Sequence, residues 1–391
     1  MRRSAAPAHA PLAGTKVLDL SRVLAGPMVG RLLSDLGAEV VKLEPPSEDI
    51  ARYVAPKRDR GMSGLYTMAN VGKRNLCVDL RCEAGLEIAL GLVRWADALI
   101  ENFRPGVMDS LGLGWERLHA ENPRLVMLSI NGFGAKSQAR DRPAYAPTIH
   151  AVTGILQYHS EWTGHPLTQL ADNQADMISS LHGTIGLLAA LQRARATGEG
   201  QHVEVPLFEA LLATYSETPF VLLDEPEHRD ECPLFDAGAI GHVAIAGSLQ
   251  NAWHKLSPKI EDPAPGPLPI PEKRRLRHAA IERWMATHAS LEALLASLEA
   301  LGLAAGRVEA LREVLQGPLA RERDLVQEVD DRRGGRRPVV RAPYRMNGQT
   351  CDIRGPAPRR GEHNGGVLRE ILGYDDATIA ALHEDGVLEK E

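Results

Sequence analysis

The chain is poor in cysteine, and this limits the kinds of site that it offers. Its 391 residues include four cysteines, Cys77, Cys82, Cys232 and Cys351. Their spacing matches neither a metal-binding motif nor a disulfide framework. We therefore expect a protein of a reducing, cytoplasmic compartment, with no metal site.

The chain also lacks long apolar runs and a strong excess of charges of one sign. No stretch approaches the roughly eighteen apolar residues that mark a membrane span. The start of the chain, Met1 to Pro11, carries positive charge but no apolar segment of a secretory signal. The formal net charge is −6 and both signs are mixed along the chain. We expect neither a membrane nor a nucleic acid as a partner.

A glycine-rich dinucleotide motif is missing as well. The apolar strand pattern at Lys16–Ser21 leads into Ser21–Pro27, which contains no Gly-x-Gly-x-x-Gly. A nicotinamide-dependent dehydrogenase loses its main sequence support at this point.

What the N-terminal half does contain is an alternation of strand and helix patterns. Lys16–Ser21 and Glu39–Glu44 each show an apolar strand pattern, and between them apolar residues recur at helical spacing. A strand, a helix and a strand within about thirty residues form a βαβ unit, which needs a parallel sheet. The alternation continues to a strand pattern at 125–130. We predict an α/β fold with an open, Rossmann-like parallel sheet.

Changes in composition divide the chain. Residues 1–223 are predicted to form most of a large domain, and a polar linker with prolines follows. Residues 241–325 fit a smaller α+β domain. Residues 345–391 are too few to fold alone, so we expect this C-terminal segment to complete the large domain.

One predicted helix organises the centre of the chain, and it ends near Thr197-Gly198. Two carboxylates, Asp172 and Asp176, lie where it begins, and there they face free N–H groups and the positive end of the helix dipole. By themselves both are explained as helix caps. The helix is predicted to bury one stripe of apolar residues, namely Met177, Leu181, Ile185, Leu188 and Leu191.

This central stretch resembles the signature of the family III CoA-transferases. An Ala-Asp pair is followed by Gly186–Leu191 and then by Arg195–Val205. In that family the aspartate before the helix is the nucleophile, and counting ten residues back from Gly186 gives Asp176, not Asp172. The likeness extends to six further segments: Val17–Pro27, Leu36–Pro45, Asn70–Arg74, Glu101–Gly106, Gly302–Val308 and Pro358–Asn364.

The resemblance implies a transfer of CoA from an acyl-CoA thioester to a small carboxylic acid. It implies a mixed anhydride and then a CoA thioester on Asp176. An ionised aspartate, with a reference pKa of about 3.9, is already a nucleophile at neutral pH and needs no general base. Coenzyme A is then a substrate, and no tightly bound cofactor is expected.

The resemblance also implies where CoA binds. Lys73 and Arg104 suit the phosphates, because both are cations and the guanidinium offers a planar pair of donors. A solvated surface charge is the alternative for each cation, and a turn with a core aromatic is the alternative for Asn102 and Phe103. The complete set implied for CoA is Leu24, Ala25, Asn70, Lys73, Asn102, Phe103, Arg104 and Arg142.

Two departures from the family pattern stand out. The stretch between Phe208 and His242 is short, and Gly238 and Gly241 form its only glycine pair. This leaves open whether a glycine-rich loop shields the aspartyl adduct. Ala146 stands where an acidic residue is common, which leaves the acid part of the substrate open.

Two other functions remain possible from the sequence. An α-methylacyl-CoA racemase of the same fold family uses a histidine, but its position falls on Tyr145, a weak acid–base group at neutral pH. His150 and His182 are isolated histidines. A non-catalytic CoA-binding subunit is the second alternative, and the intact Ala175-Asp176 pair argues against it.

The resemblance implies an interlocked homodimer. Linkers near 224–240 and 326–344 would carry the chain out to the small domain and back, leaving a ring that a second subunit threads. Both linkers are rich in proline, glycine and charge.

Overall fold

The computed structural model describes residues 10–54, 62–215, 220–223, 233–332 and 334–390. Within these ranges the chain forms two compact units. The large unit lies within Met1–Thr218 and Asp324–Glu391, and the small unit lies within Pro219–Arg323. Most of the first predicted linker, including Cys232, falls outside the described residues.

The large unit is built on a six-stranded sheet in which every pairing is parallel. Its order is β3-β2-β1-β4-β5-β6, so the connections change direction between β1 and β4. The predicted α/β class with an open parallel sheet is confirmed. The strands are β1 (Lys16–Asp19), β2 (Glu39–Glu44), β3 (Arg74–Cys77), β4 (Ala98–Glu101), β5 (Val126–Asn131) and β6 (His202–Pro206).

Helices cover both faces of this sheet. A buried apolar cluster joins one face to α1 and α8, and a second cluster joins the other face to α3 and α5. A short 3-10 helix, Ile50–Tyr53, follows β2. The helices of this part are α1 (Ala25–Asp35), α2 (Gly64–Asn70), α3 (Glu83–Trp95), α4 (Val107–Ser110), α5 (Trp115–Glu121), α6 (Ala146–Val152), α7 (Ile155–Thr163), α8 (Gln174–Thr197) and α9 (Leu207–Thr214).

Helix α8 ends at Thr197 with Gly198 as its C-cap, as predicted. Of the predicted apolar stripe, Leu191 is buried, but Leu181 and Ile185 are not. Leu181 is 48% exposed and Ile185 is 66% exposed. The buried face consists mainly of small residues, and a Cβ on Gly183 would lie 3.1 Å from Leu128 and 3.3 Å from Ile130. Small side chains let the helix axis approach the sheet closely, and Leu187 and Leu191 are the large apolar side chains that share this buried face.

The small unit combines a three-stranded antiparallel sheet with helices around one apolar core. Its strands are β7 (Leu234–Asp236), β8 (His242–Ile245) and β9 (Ala305–Arg307). Short 3-10 helices lie at Phe220–Leu222 and Gly238–Ile240. Its helices are α10 (Leu249–Leu256), α11 (Ile270–Met285), α12 (Leu291–Ala300), α13 (Leu311–Gln316) and α14 (Pro318–Glu322).

The C-terminal residues pack on the large unit. The side chain of Asn364 accepts the N–H of Cys77 at 2.9 Å, and the N–H of Gly361 donates to the Asn75 side chain at 2.6 Å. Antiparallel hairpins precede this contact. The elements are β10 (Val326–Asp330), β11 (Arg336–Val340), β12 (Arg345–Met346), β13 (Gln349–Thr350), α15 (Asn364–Leu372) and α16 (Asp376–Glu384).

Candidate active site

A cavity of about 420 Å³ opens at the carboxyl ends of the central strands of the large unit. The loops after β1, β4 and β5 form much of its wall, and the start of α8 closes one side. This is the point where the strand order reverses, and open α/β sheets bind ligands there because the loops diverge and leave a crevice. Its lining includes Arg22, Val23, Leu24, Ala25, Ile50, Asn102, Phe103, Arg104, Arg140, Arg142, Tyr145, Ala146 and Asp176.

Asp176 lies in the first turn of α8 and faces this cavity. Burial raises the pKa of its carboxyl group from 3.8 to about 6, and a hydrogen bond from the backbone N–H of Ala146 opposes that rise. Asp172, by contrast, is exposed and accepts the N–H of Asn173 at 2.7 Å. The structure therefore brings Asp176, and not Asp172, to the cavity wall.

The loops after β1 and β4 are joined by the side chain of Asn102. Its Oδ1 accepts the N–H of Arg22 at 2.7 Å, and its Nδ2 donates to the Arg22 carbonyl at 2.8 Å. The N–H of Phe103 donates to Glu101 Oε2 at 2.8 Å, and the Arg22 guanidinium lies 5.3 Å from the Phe103 ring centroid. Asn102 thus holds the wall of the cavity, since both ends of its amide are occupied by backbone groups.

Four arginines line the same cavity: Arg22, Arg104, Arg140 and Arg142. The guanidinium of Arg142 lies 5.1 Å from the Phe133 ring centroid, which orients it. Arg104 is exposed, and among the described residues its guanidinium has no ion-pair partner. Sequence reasoning singled out Arg104 and Arg142 but missed Arg22 and Arg140. Arg22 lies in the loop that follows the first strand, which is the signal that identifies it.

Asn70 and Lys73 do not reach the cavity. The Lys73 ammonium is buried and donates to Asp19 Oδ2 at 2.7 Å, to the Pro27 carbonyl at 2.7 Å and to Asn70 Oδ1 at 2.8 Å. Burial lowers the Lys73 pKa to about 8, although Asp19 opposes that shift. The predicted phosphate contact of Lys73 is therefore corrected to a structural role, because a phosphate would have to displace three buried acceptors.

Histidine is absent from the described lining of the cavity. His150 is buried, and its Nε2 accepts the N–H of Ala175 at 3.2 Å. His182 Nε2 lies 2.9 Å from Thr214 Oγ1. Tyr145, at the position expected for a racemase histidine, lines the cavity and is 62% exposed. The described residues therefore offer no opposed histidine and aspartate in this cavity.

Metal clusters and membrane spans are not found in the part of the chain that the structure describes. Groups of three or more side chains able to hold a metal ion are absent there. None of the described helices is both long enough and apolar enough to span a bilayer.

The Rossmann-like strand order and a carboxylate in a cavity rich in arginine define an α/β protein with a candidate site at the switch point of its sheet. Residues 12–364 match the model of CoA-transferase family III, and the chain belongs to this family. It is accordingly an enzyme of the CoA-transferase class.

Named relatives agree with this assignment. The beta subunit of succinyl-CoA–L-malate CoA-transferase from Chloroflexus aurantiacus is 30% identical, covering 97% of this chain and 98% of that protein. Formyl-CoA:oxalate CoA-transferase from Escherichia coli O6:H1 is 31% identical, covering 96% and 99%. The crystal structure of a CaiB/BaiF family protein from Brucella suis superposes with a TM-score of 0.77 at 28% identity, covering 93% of this chain and 99% of that chain.

Proposed function

We propose that this chain moves CoA from an acyl-CoA thioester to a carboxylic acid, with the Asp176 carboxylate as the nucleophile. One observation carries the proposal: Asp176 is the one carboxylate among the described residues that line the cavity. With a pKa of about 6, its side chain is mostly ionised at pH 7. A carboxylate in that form attacks without a general base.

The proposed reaction consists of two exchanges at Asp176. An Asp176 oxygen attacks the thioester carbon, the C–S bond breaks, CoA leaves as a thiolate, and a mixed anhydride of Asp176 and the donor acid remains. The thiolate then attacks the Asp176 carbonyl carbon, which releases the donor acid as a carboxylate and leaves an aspartyl-CoA thioester. The acceptor carboxylate runs the same two steps in reverse and leaves as its CoA thioester.

Backbone N–H groups are placed to stabilise the oxyanions of these steps. Helices α1 and α8 both begin at the cavity, and neither has a side-chain cap at its N-terminus. The N–H of Ala175 in α8 is taken by His150 Nε2, and Pro27 in α1 has no N–H. The other N–H groups of these two first turns can bind negative charge, and the helix dipole adds to the effect. Donors already in place where charge develops accelerate acyl transfer.

The arginines suit the charge of the substrates. CoA carries phosphates, which guanidinium groups bind as paired hydrogen-bond donors. We assign Arg104 and Arg142 to the CoA phosphates, and Leu24, Ala25, Asn102 and Phe103 to the wall along CoA. The relatives named above act on oxalate and L-malate, and we extend this class, a small dicarboxylic acid, to the acceptor of the present chain.

Paired substitutions test the nucleophile. Asp176→Ala should abolish CoA transfer from succinyl-CoA to a panel of dicarboxylates, while the protein still folds and binds CoA. Asp172→Ala is the matched control, because Asp172 is an exposed aspartate just before the same helix. Near-normal turnover by Asp176→Ala, together with an inactive Asp172→Ala, would show that the nucleophile has been misassigned.

We also propose that the protein is an interlocked homodimer. In the sequence, the small unit is inserted between two parts of the large unit, as threading requires. Helix α8 exposes Leu181 and Ile185, two large apolar side chains one turn apart. Apolar side chains on the outer face of a long helix are typical of a surface that another chain covers.

A further inference from the structure

The loop after β1 contains a backbone conformation that its sequence does not favour. Val23 has a φ of 67°, in the left-handed region. Five non-glycine residues among those described have positive φ, and Val23 is the β-branched one. A branched Cβ makes this conformation unfavourable, so the surrounding structure must hold it.

The groups that hold Val23 converge on one carboxylate. The N–H of Val23 donates to both oxygens of Asp49, at 3.0 and 3.2 Å. Asp49 is completely buried, and its Oδ2 lies 3.1 Å from the Lys42 ammonium. Lys42 also donates to the carbonyl of Ser21 at 2.7 Å. One buried ion pair therefore holds two backbone groups of this loop.

Asp49 fixes a second wall of the cavity as well. Its Oδ1 accepts the N–H of Ala51 at 3.0 Å and caps the 3-10 helix Ile50–Tyr53. Ile50 lines the cavity, as do Leu24 and Ala25 directly after Val23. The carboxylate of Asp49 thus joins two lining segments without lining the cavity itself.

We propose that Asp49 is a positioning residue for CoA transfer, because it holds Val23 in the left-handed conformation and so places Leu24 and Ala25 in the cavity wall. This inference rests on the proposed function of the cavity. Glycine adopts positive φ readily. Replacing Val23 by glycine should therefore make the loop less dependent on Asp49, and a purely structural role for Asp49 would not produce that rescue.

The test is a double-mutant cycle of Asp49→Asn and Val23→Gly, read as kcat/KM for an acyl-CoA and as the Kd for CoA by calorimetry. In the chain that keeps Val23, Asp49→Asn should lower kcat/KM about tenfold, the factor expected for releasing a strained conformation. In the chain that already carries Val23→Gly, the loss should be about threefold or less. Equal losses in both backgrounds would overturn the inference.

Two arms complete the design. Asn347→Gly is the matched control, because Asn347 also has positive φ (52°) but lies in the turn between β12 and β13; it should not reduce the loss caused by Asp49→Asn. If Asp49→Asn does not fold, Asp49→Glu enters the same cycle, because it keeps a charge beside Lys42 but moves the carboxylate relative to the Val23 N–H. Equal losses from Asp49→Glu in both backgrounds would also overturn the inference.

The unmodified protein separates this inference from the proposed function. If it does not bind CoA, the proposed function fails. If it binds CoA and the losses are equal in both backgrounds, the Val23 inference alone fails.

Discussion

At the scale of single residues, Asp176 combines two opposing requirements. Its carboxylate must be ionised to attack, yet the burial that excludes water raises its pKa from 3.8 to about 6. At neutral pH the Asp176 carboxyl group is therefore still mostly ionised, but its pKa lies closer to the working pH than that of an exposed aspartate.

The rate of transfer should therefore depend on pH through Asp176. Because the deprotonated form attacks, kcat/KM for acyl-CoA should level off above about pH 7 and fall about tenfold by pH 5, one unit below the pKa. A pH profile measured with stable protein checks this. Asp172→Asn should leave the profile unchanged, and a plateau that continues to pH 4.5 would contradict the assignment.

Arg104 and Lys73, the two cations that the family resemblance assigns to the CoA phosphates, should respond differently to substitution. Arg104→Ala should weaken CoA binding about ten- to a hundredfold, for a lost charge-assisted contact of about 1.5–3 kcal/mol, with little change in stability. Lys73→Ala should instead cost about 3–5 kcal/mol of folding free energy, because it leaves the buried Asp19 carboxylate unpaired.

Calorimetry with CoA and urea denaturation separate these two effects. Arg94→Ala serves as the control, since Arg94 makes an exposed ion pair with Glu121 away from the cavity. Wild-type stability in Lys73→Ala combined with weaker CoA binding would restore the original phosphate assignment.

At the scale of elements, the sequence allowed the parallel sheet and the end of helix α8 to be predicted. Both depend on local signals, namely apolar strands separated by a helical pattern and the glycine at 198. The buried face of α8 was not predictable in this way. Periodicity marks large apolar residues, whereas close packing on the sheet selects Gly183 and its small neighbours.

The residues of the candidate site also divide into those that the sequence indicates and those that depend on distant contacts. The family resemblance points to Asp176 through its spacing to Gly186, and it also implies Asn102, Phe103 and Arg104. The burial of Lys73 depends on Asp19, which is 54 residues away in the sequence. No local pattern contains that contact, so the sequence alone could not separate a buried ammonium from a phosphate ligand.

Close packing at Gly183 gives a prediction about stability. Gly183→Val should destabilise the large unit by about 1–3 kcal/mol, because the added methyl groups enter space held by Leu128 and Ile130. Ala196→Val, on the exposed side of the same helix, is the control and should change stability by less than about 1 kcal/mol. Urea denaturation measures both, and equal effects would show that α8 does not pack closely through Gly183.

At the scale of the whole molecule, the proposed homodimer makes a strict prediction. Interlocked subunits separate only by partial unfolding, so dilution should not release a folded monomer. Sedimentation velocity at nanomolar concentration should show dimer alone. A folded monomer there would rule out threading and leave the CoA-transferase assignment intact.

Ile185→Glu should weaken assembly, since it places a charge on the exposed apolar face of α8.

The central claim is that Asp176 carries the CoA group during turnover. The most direct measurement is mass spectrometry of peptides after the protein is mixed with an acyl-CoA and quenched with borohydride or hydroxylamine. We expect a modification on the peptide that contains Asp176, absent without acyl-CoA and absent from Asp176→Asn. An active protein that is never modified at Asp176, or is modified at another side chain, would contradict the account.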